Sequence, residues 1–315
     1  MNKFKTIAAA IGVAGMAMAA GQAQAFDLGV VAFQMSAETQ ARCAKTVGAE
    51  AEKLGWTAQV LNSNGSLETH ASQLDNLIQK KVSGLILCMS KPVQFDGQFE
   101  AAKKAGIPVI TISSGASPHT LFDVTPNEYI MAAESAIYLL GTINFEGNVL
   151  VQRFESNTGA RIRGEVLDVV LKENPAVKVV GSHSMARTKS WMDDVRNGMS
   201  ALILQNAGNF KGVWASFDGQ ALIIDDLLRE GGLKKGDVSL VSIDGGQEVY
   251  RRIKDPESLM TATVAIPFED MAKSAVTMMK KIAVDGVAKT DLVPGPYLFT
   301  PATLVDKSNV DKFLK

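Results

Sequence analysis

Cysteine and histidine are scarce in this sequence: two cysteines (Cys43, Cys88) and three histidines (His70, His119, His183) in 315 residues. No cluster of Cys, His and carboxylates stands at metal-ligand spacing, which argues against structural zinc. Two cysteines cannot make a disulfide framework. A single bridge between them stays open, and two buried thiols is the preferred reading. An excess of one charge is also lacking, with 32 basic and 33 acidic residues. That balance argues against nucleic acid and gives no membrane-surface signal. Catalytic signatures are missing too. No G-x-G-x-x-G follows the first strand, and there is no P-loop and no G-x-S-x-G elbow. The carboxylates are scattered, so nothing supports an enzyme, and no cofactor is expected.

Long apolar runs are confined to the N-terminus. Lys3 and Lys5 precede an apolar stretch from Ile7 to Ala20, and Ala23-Gln24-Ala25 follows as an A-x-A cleavage site. This pattern predicts an export signal over residues 1–25 and a mature chain beginning at Phe26, exported to a bacterial periplasm. The apolar run is short of the ~20 residues that span a bilayer. Removing residues 1–25 takes two lysines and no acid, leaving a net charge of −3.

What is present is a repeated alternation of strands and helices. Leu28–Phe33, Thr57–Leu61, Gly84–Cys88 and Ile107–Ile112 read as strands, each separated from the next by a helical pattern. The alternation repeats from residue 127 to residue 265, with strands at 148–152, 177–181, 212–215, 239–243 and 259–265. A helix over 267–284 and a short strand over 294–298 close the chain. The fold class is therefore α/β, with two doubly wound parallel sheets of similar size. The chain is expected to cross between the lobes near 124–126, 265–267 and 292–296. That gives one lobe of 26–125 plus 267–294 and another of 126–266 plus 295–315.

Ligands of open parallel sheets bind outside the carboxyl ends of the strands. There the first lobe presents Gln34, Met35 and Ser36, then Cys88, Met89 and Ser90, then Ser113 and Ser114. The second presents Arg153 to Thr158 with Arg161, Ser182 to Arg187, Phe217 with Asp218, and Asp244-Gly245-Gly246. Hydroxyls, amides, arginines, aspartates and an aromatic suit a small polyhydroxylated molecule, whose hydroxyls both donate and accept.

The mature chain, nearly end to end, resembles the periplasmic sugar-binding proteins of the ribose-binding type, the receptors of ABC importers. The matching stretches are AEAEKLGW (49–56), KKVSGLILC (80–88), AAKKAGIPVITISS (101–114), GARIRGEVL (159–167), VWASFDGQAL (213–222), VSIDGGQE (241–248) and LMTATVA (259–265). Their shared order and spacing carry the resemblance. It implies the type I periplasmic binding fold, with a three-segment hinge and a ligand in the cleft. It implies ligand contacts from Met35, Ser36, Gln40, Cys88, Ser113, Ser114, Arg161, Arg187, Phe217, Asp244 and Ile266. Arg163 reads as structural, and Trp191 as a core aromatic.

The departures matter. The family's pentose and hexose binders usually carry Asp-Arg where this chain has Ser113-Ser114, an amide near Cys88, an amide or acid near Phe217, and Phe at Thr39 and Gln40. A charge-assisted hydrogen bond is roughly twice as strong as a neutral one. The expected ligand is therefore a polyol, deoxy sugar or sugar acid rather than ribose or galactose. The expected partners are that solute and an inner-membrane ABC permease, with the protein a monomer. The alternative is a sensor of the same fold that signals to a membrane histidine kinase or chemoreceptor.

Overall fold

The computed structural model describes residues 26–90 and 94–314. The export-signal reading of residues 1–25 lies outside them. Two six-stranded sheets organise the chain. The first holds β1 (Asp27–Ala32), β2 (Thr57–Asn62), β3 (Gly84–Cys88), β4 (Val109–Ile112), β5 (Phe122–Pro126) and β11 (Tyr297–Thr300). Its order is β11-β5-β4-β3-β1-β2, all parallel. The second holds β6 (Gly147–Arg153), β7 (Val177–Ser184), β8 (Gly212–Ala215), β9 (Ser239–Asp244), β10 (Met260–Ala265) and β12 (Thr303–Asp306). Its order is β12-β10-β9-β8-β6-β7, with only β12 antiparallel.

Inner strands such as β3 and β9 are buried at every residue, because helices cover both faces. The first lobe is wrapped by α1 (Glu38–Lys53), α2 (Leu67–Gln79), α3 (Asp96–Lys104) and α9 (Phe268–Met279). The second is wrapped by α4 (Glu128–Thr142), α5 (Thr158–Glu173), α6 (Trp191–Gln205), α7 (Asp218–Glu230) and α8 (Gln247–Lys254). Caps fix where several of them start. Ser66 accepts from the N–H of Thr69, Asn127 from Tyr129 and Ile130, and Asn157 from Ala160. Gly55, at φ 75°, turns the chain out of α1 in the left-handed region that glycine tolerates.

The chain passes between the sheets three times: from β5 to α4, from β10 to α9, and from β11 to β12. The third passage corrects the sequence expectation. Tyr297–Thr300 pairs with Asp123–Pro126 in the first sheet, and Thr303–Asp306 pairs with β10 in the second. The crossing therefore lies at 300–303, and residues 295–300 belong with the first lobe. A short strand shows its existence locally, but its partner is a long-range fact.

Cys43 and Cys88 form a disulfide, so the reading of two free buried thiols is corrected. Cys43 sits on the buried face of α1 and Cys88 ends β3. Packing of α1 onto β3 brings their Cα atoms to 6.1 Å, within bridging range.

His70, on α2, is wholly buried. Ser63 donates to Gln73 Oε1, so the His70 Nδ1–H donates to Ser63 Oγ at 2.7 Å. The other ring nitrogen, Nε2, then accepts from the Ser90 hydroxyl at 2.7 Å. Burial holds the His70 pKa down, to about 4. A histidine kept neutral by the fold supports stability above its unfolded pKa of about 6.5, and that support is lost as pH falls towards 4. Asp123 and Asp244 have raised pKa values and tilt the other way over part of this window. The informative quantity is therefore the stability gap between wild type and His70→Gln. That gap is expected to shrink by about 3 kcal/mol between pH 7 and pH 4 in urea unfolding. A constant gap would show that the fold accommodates the charged ring.

Candidate functional site

Both sheets have the inner strand order 2-1-3-4-5, so each has a switch point between its first and third strands. The two switch points face each other. A cavity of about 100 Å³ lies between them, with room for several water-sized groups. Phe33 and Gln34 enter it from the end of β1 and Met89 from the end of β3. Phe154 enters from the end of β6, Phe217 from beyond β8 and Asp244 from the end of β9. A second cavity, of about 310 Å³, adjoins it and shares Met89 and Asn157. It reaches Ser113, Ser114, Asp123, Tyr129, Tyr297 and Phe299 on the side of the β5–α4 and β11 crossings.

Three of the seven described non-glycine residues with positive φ stand at these strand ends. Met89 (φ 57°), Ser113 (φ 48°) and Asp244 (φ 138°) hold positive φ without being glycine, and all three line a cavity. Such conformations persist only where the surroundings over-determine them, and they cluster at functional sites. At Asp244 the surroundings are plain. Its Oδ1 accepts from Arg163 Nη1 at 3.1 Å, and the following Gly245 N–H donates to Asp218 Oδ2 at 2.6 Å. Ser242 and Thr263 hydroxyls also donate to Asp218.

Arg163 is the electrostatic centre of the site. Its Nε donates to Glu128 Oε2 at 2.6 Å, and its Nη1 also donates to the Ser216 carbonyl at 2.8 Å. Glu128 opens α4 just past the first crossing, so this ion pair ties the hinge to the cleft. Burial pushes the Asp244 carboxyl up to about 7, against the pull of Arg163. Arg187 stands apart from this network. Its guanidinium lies between the Phe33 ring of the first lobe (5.0 Å) and the Phe154 ring of the second (5.2 Å).

Of the residues expected at the ligand, Gln40, Arg187, Phe217 and Asp244 line the first cavity, and Ser113 and Ser114 the second. Ser36 lies at an adjoining opening with Trp191 and Phe217. The others lie elsewhere. Met35 packs against the core, Cys88 is spent in the disulfide, and Ile266 is buried behind the cleft near Arg42. Arg161 is corrected outright: its side chain is 44% exposed and pairs with Glu165 at 3.5 Å. On α5 the inward face runs Ala160, Arg163, Gly164, Leu167, which leaves position 161 on the outer side. Arg163, read as structural, is therefore the α5 arginine that reaches the cleft. The cap at Asn157 and the spacing from Leu167 were enough to choose it.

The sequence reading passed over Phe33 and Asp123, and it placed Phe154 and Asn157 only within the strand-end segment 153–158. Asp123 Oδ1 accepts from the Ser114 N–H at 3.0 Å, and burial pushes its carboxyl up to about 6. The first lobe thus keeps an acid beside Ser113-Ser114, although the sequence there reads as neutral. Trp191, read as a core aromatic, is buried and also lines the cavity.

A contact on another flank joins the lobes directly. Arg42 of α1 forms a two-pronged ion pair with Glu269 of α9, at 2.9 and 2.8 Å, and also donates to the Gly245 carbonyl beyond β9.

Among the described residues no helix is long and apolar enough to cross a membrane, and no group of residues could hold a metal ion. The chain is similar to a xylitol-binding protein of Mycolicibacterium smegmatis, with 27% identity over 79% of this chain and 68% of that protein. It superposes on an ABC sugar transporter subunit from Rhodobacter sphaeroides with a TM-score of 0.80 and 25% identity, covering 90% of this chain and 99% of that one. A solute-binding protein from Agrobacterium vitis with bound allitol gives a TM-score of 0.82 at 23% identity, covering 92% and 98%. The family model for the periplasmic binding protein domain matches residues 28–286. With two facing α/β lobes and a cleft at their switch points, the chain belongs to the periplasmic binding protein family and is a solute-binding protein, not an enzyme.

Proposed function

We propose that the protein captures a small polyhydroxylated solute between its lobes and hands it to an ABC permease. The solute is a polyol, deoxy sugar or sugar acid. The observation that carries this reading is the cavity between the two switch points, where Phe33, Phe154 and Phe217 surround Arg187, Asp244 and the amides of Gln40 and Asn157. Aromatic faces pack sugar C–H groups, while a few placed polar groups fix the hydroxyls. Xylitol and allitol, named for two similar proteins, support the polyol class. In this reading residues 1–25 are removed on export and the mature protein works in the periplasm as a monomer. An intact mass that starts at Phe26 in a periplasmic extract checks the export step.

Ligand-induced stabilisation checks the rest. A solute at about 100 times its dissociation constant adds about 2.7 kcal/mol, a shift of several degrees in the unfolding midpoint. Polyols, deoxy sugars and sugar acids are expected to include such a solute at micromolar concentration. Ribose or galactose giving that shift, with the other classes inert, would reverse the assignment.

A further inference from the structure

Among the described residues, Arg187 is a cation of the cleft with no ion-pair partner. Arg163 is already paired with two carboxylates, Glu128 and Asp244, and with the Ser216 carbonyl. Among the described residues Arg187 has one hydrogen-bond acceptor, the Ser156 carbonyl, at 3.3 Å from its Nη2. Its Nε is buried without a hydrogen-bond partner, and among the described residues no carboxylate pairs with it. Two aromatic rings, one from each lobe, lie about its Cζ at 5.0 and 5.2 Å. A guanidinium carries a fork of N–H donors that matches a planar, two-oxygen group. A cation taken from water is costly unless it is paired, so the missing partner is expected in whatever fills the cavity.

The neighbouring amides have the same polarity. The Asn157 side-chain oxygen accepts from the Ala160 N–H at 3.0 Å, and that of Gln40 accepts from the Gln34 N–H at 2.6 Å. A backbone N–H can only donate, so each side-chain oxygen already has one partner and both NH₂ groups are oriented to donate. A hydroxyl offers a donor as well as an acceptor, whereas a carboxylate only accepts. Asp244 is the carboxylate lining the same cavity, and it suits hydroxyl donors and disfavours a second carboxylate beside it. We infer that the solute is a hydroxylated monocarboxylate, an aldonic or uronic acid, with its carboxylate on Arg187 and its hydroxyls towards Asp244. This rests on the cleft being the solute site, as proposed above.

The test is calorimetric titration of the mature protein with a panel of four- to six-carbon aldonic and uronic acids. Each acid is paired with the alditol or aldose of the same stereochemistry. The best acid is expected to bind at least tenfold more tightly than its neutral pair. Arg187→Met keeps a side chain between the two rings and removes the charge, so it is expected to abolish that preference. Arg187→Lys is expected to retain part of it. Unfolding midpoints establish that both variants fold. A neutral member binding as tightly as its acid, or Arg187→Met weakening both members equally, overturns the inference and leaves the cleft reading standing. If no member of either class binds, the inference falls, and the deoxy sugars of the thermal-shift panel decide the cleft reading.

Discussion

Removing the Cys43–Cys88 bridge is expected to lower the free energy of unfolding by about 4 kcal/mol. The two residues are 45 positions apart. In the chain-entropy account, closing a loop of that size costs the unfolded chain about 4 kcal/mol of conformational freedom. Both cysteines are wholly buried in the first lobe's core, so reductant should act through unfolding events rather than on the native fold. Urea unfolding of Cys43→Ala/Cys88→Ala against the oxidised wild type measures the effect, and excess reductant should bring the wild type to the same midpoint. A change below about 0.5 kcal/mol would mean that the reduced unfolded chain is already held compact. Affinity should fall as well, because α1 carries Gln40 and the residue after Cys88 is Met89, both at the cavity.

Arg163→Met is expected to cost 3–5 kcal/mol, the range for breaking a buried ion pair from one side. Glu128, Asp244 and the Ser216 carbonyl would all lose their shared donor. The loss has a pH signature with a definite sign. Asp244 already titrates near 7 in the intact site, well above its unfolded value, so the folded state takes up a proton there more readily than the unfolded chain. Without the guanidinium its pKa rises further. The variant's deficit should therefore be largest above pH 7 and shrink as pH falls and Asp244 becomes neutral. Unfolding in urea at about pH 5 and about pH 8 reads this directly. Equal deficits at both values would place the cost in packing rather than in the orphaned carboxylate.

The two α/β lobes were legible because each strand and helix declares itself locally, over 4 to 16 residues, and β1 through β4 and β6 through β10 fall close to where the alternation puts them. What escaped was whatever depends on a distant partner. β11 and β12 are four residues each and sit at opposite sheet edges, so only their ladders tell which lobe owns them. The disulfide required knowing that α1 packs over β3. In the site, Asp244 and Phe217 were readable as strand-end residues. The choice between Arg161 and Arg163 turned on helical phase, which the resemblance overrode and the face of α5 restores. Asp123 hid within β5, where an acid in a buried strand is informative only once Ser114 is seen to donate to it.

The Arg42 contact with the Gly245 carbonyl is made between protein atoms alone, so part of the drive to bring the lobes together exists before any solute arrives. A solute can shift the open–closed balance only by its own preference for the closed form. Whatever Arg42 supplies therefore raises the resting level of closure and the apparent affinity together. A membrane partner that responds to lobe closure would then meet a baseline of unloaded, closed molecules, set in part by one arginine on α1. Tight capture and a quiet baseline pull in opposite directions at that position.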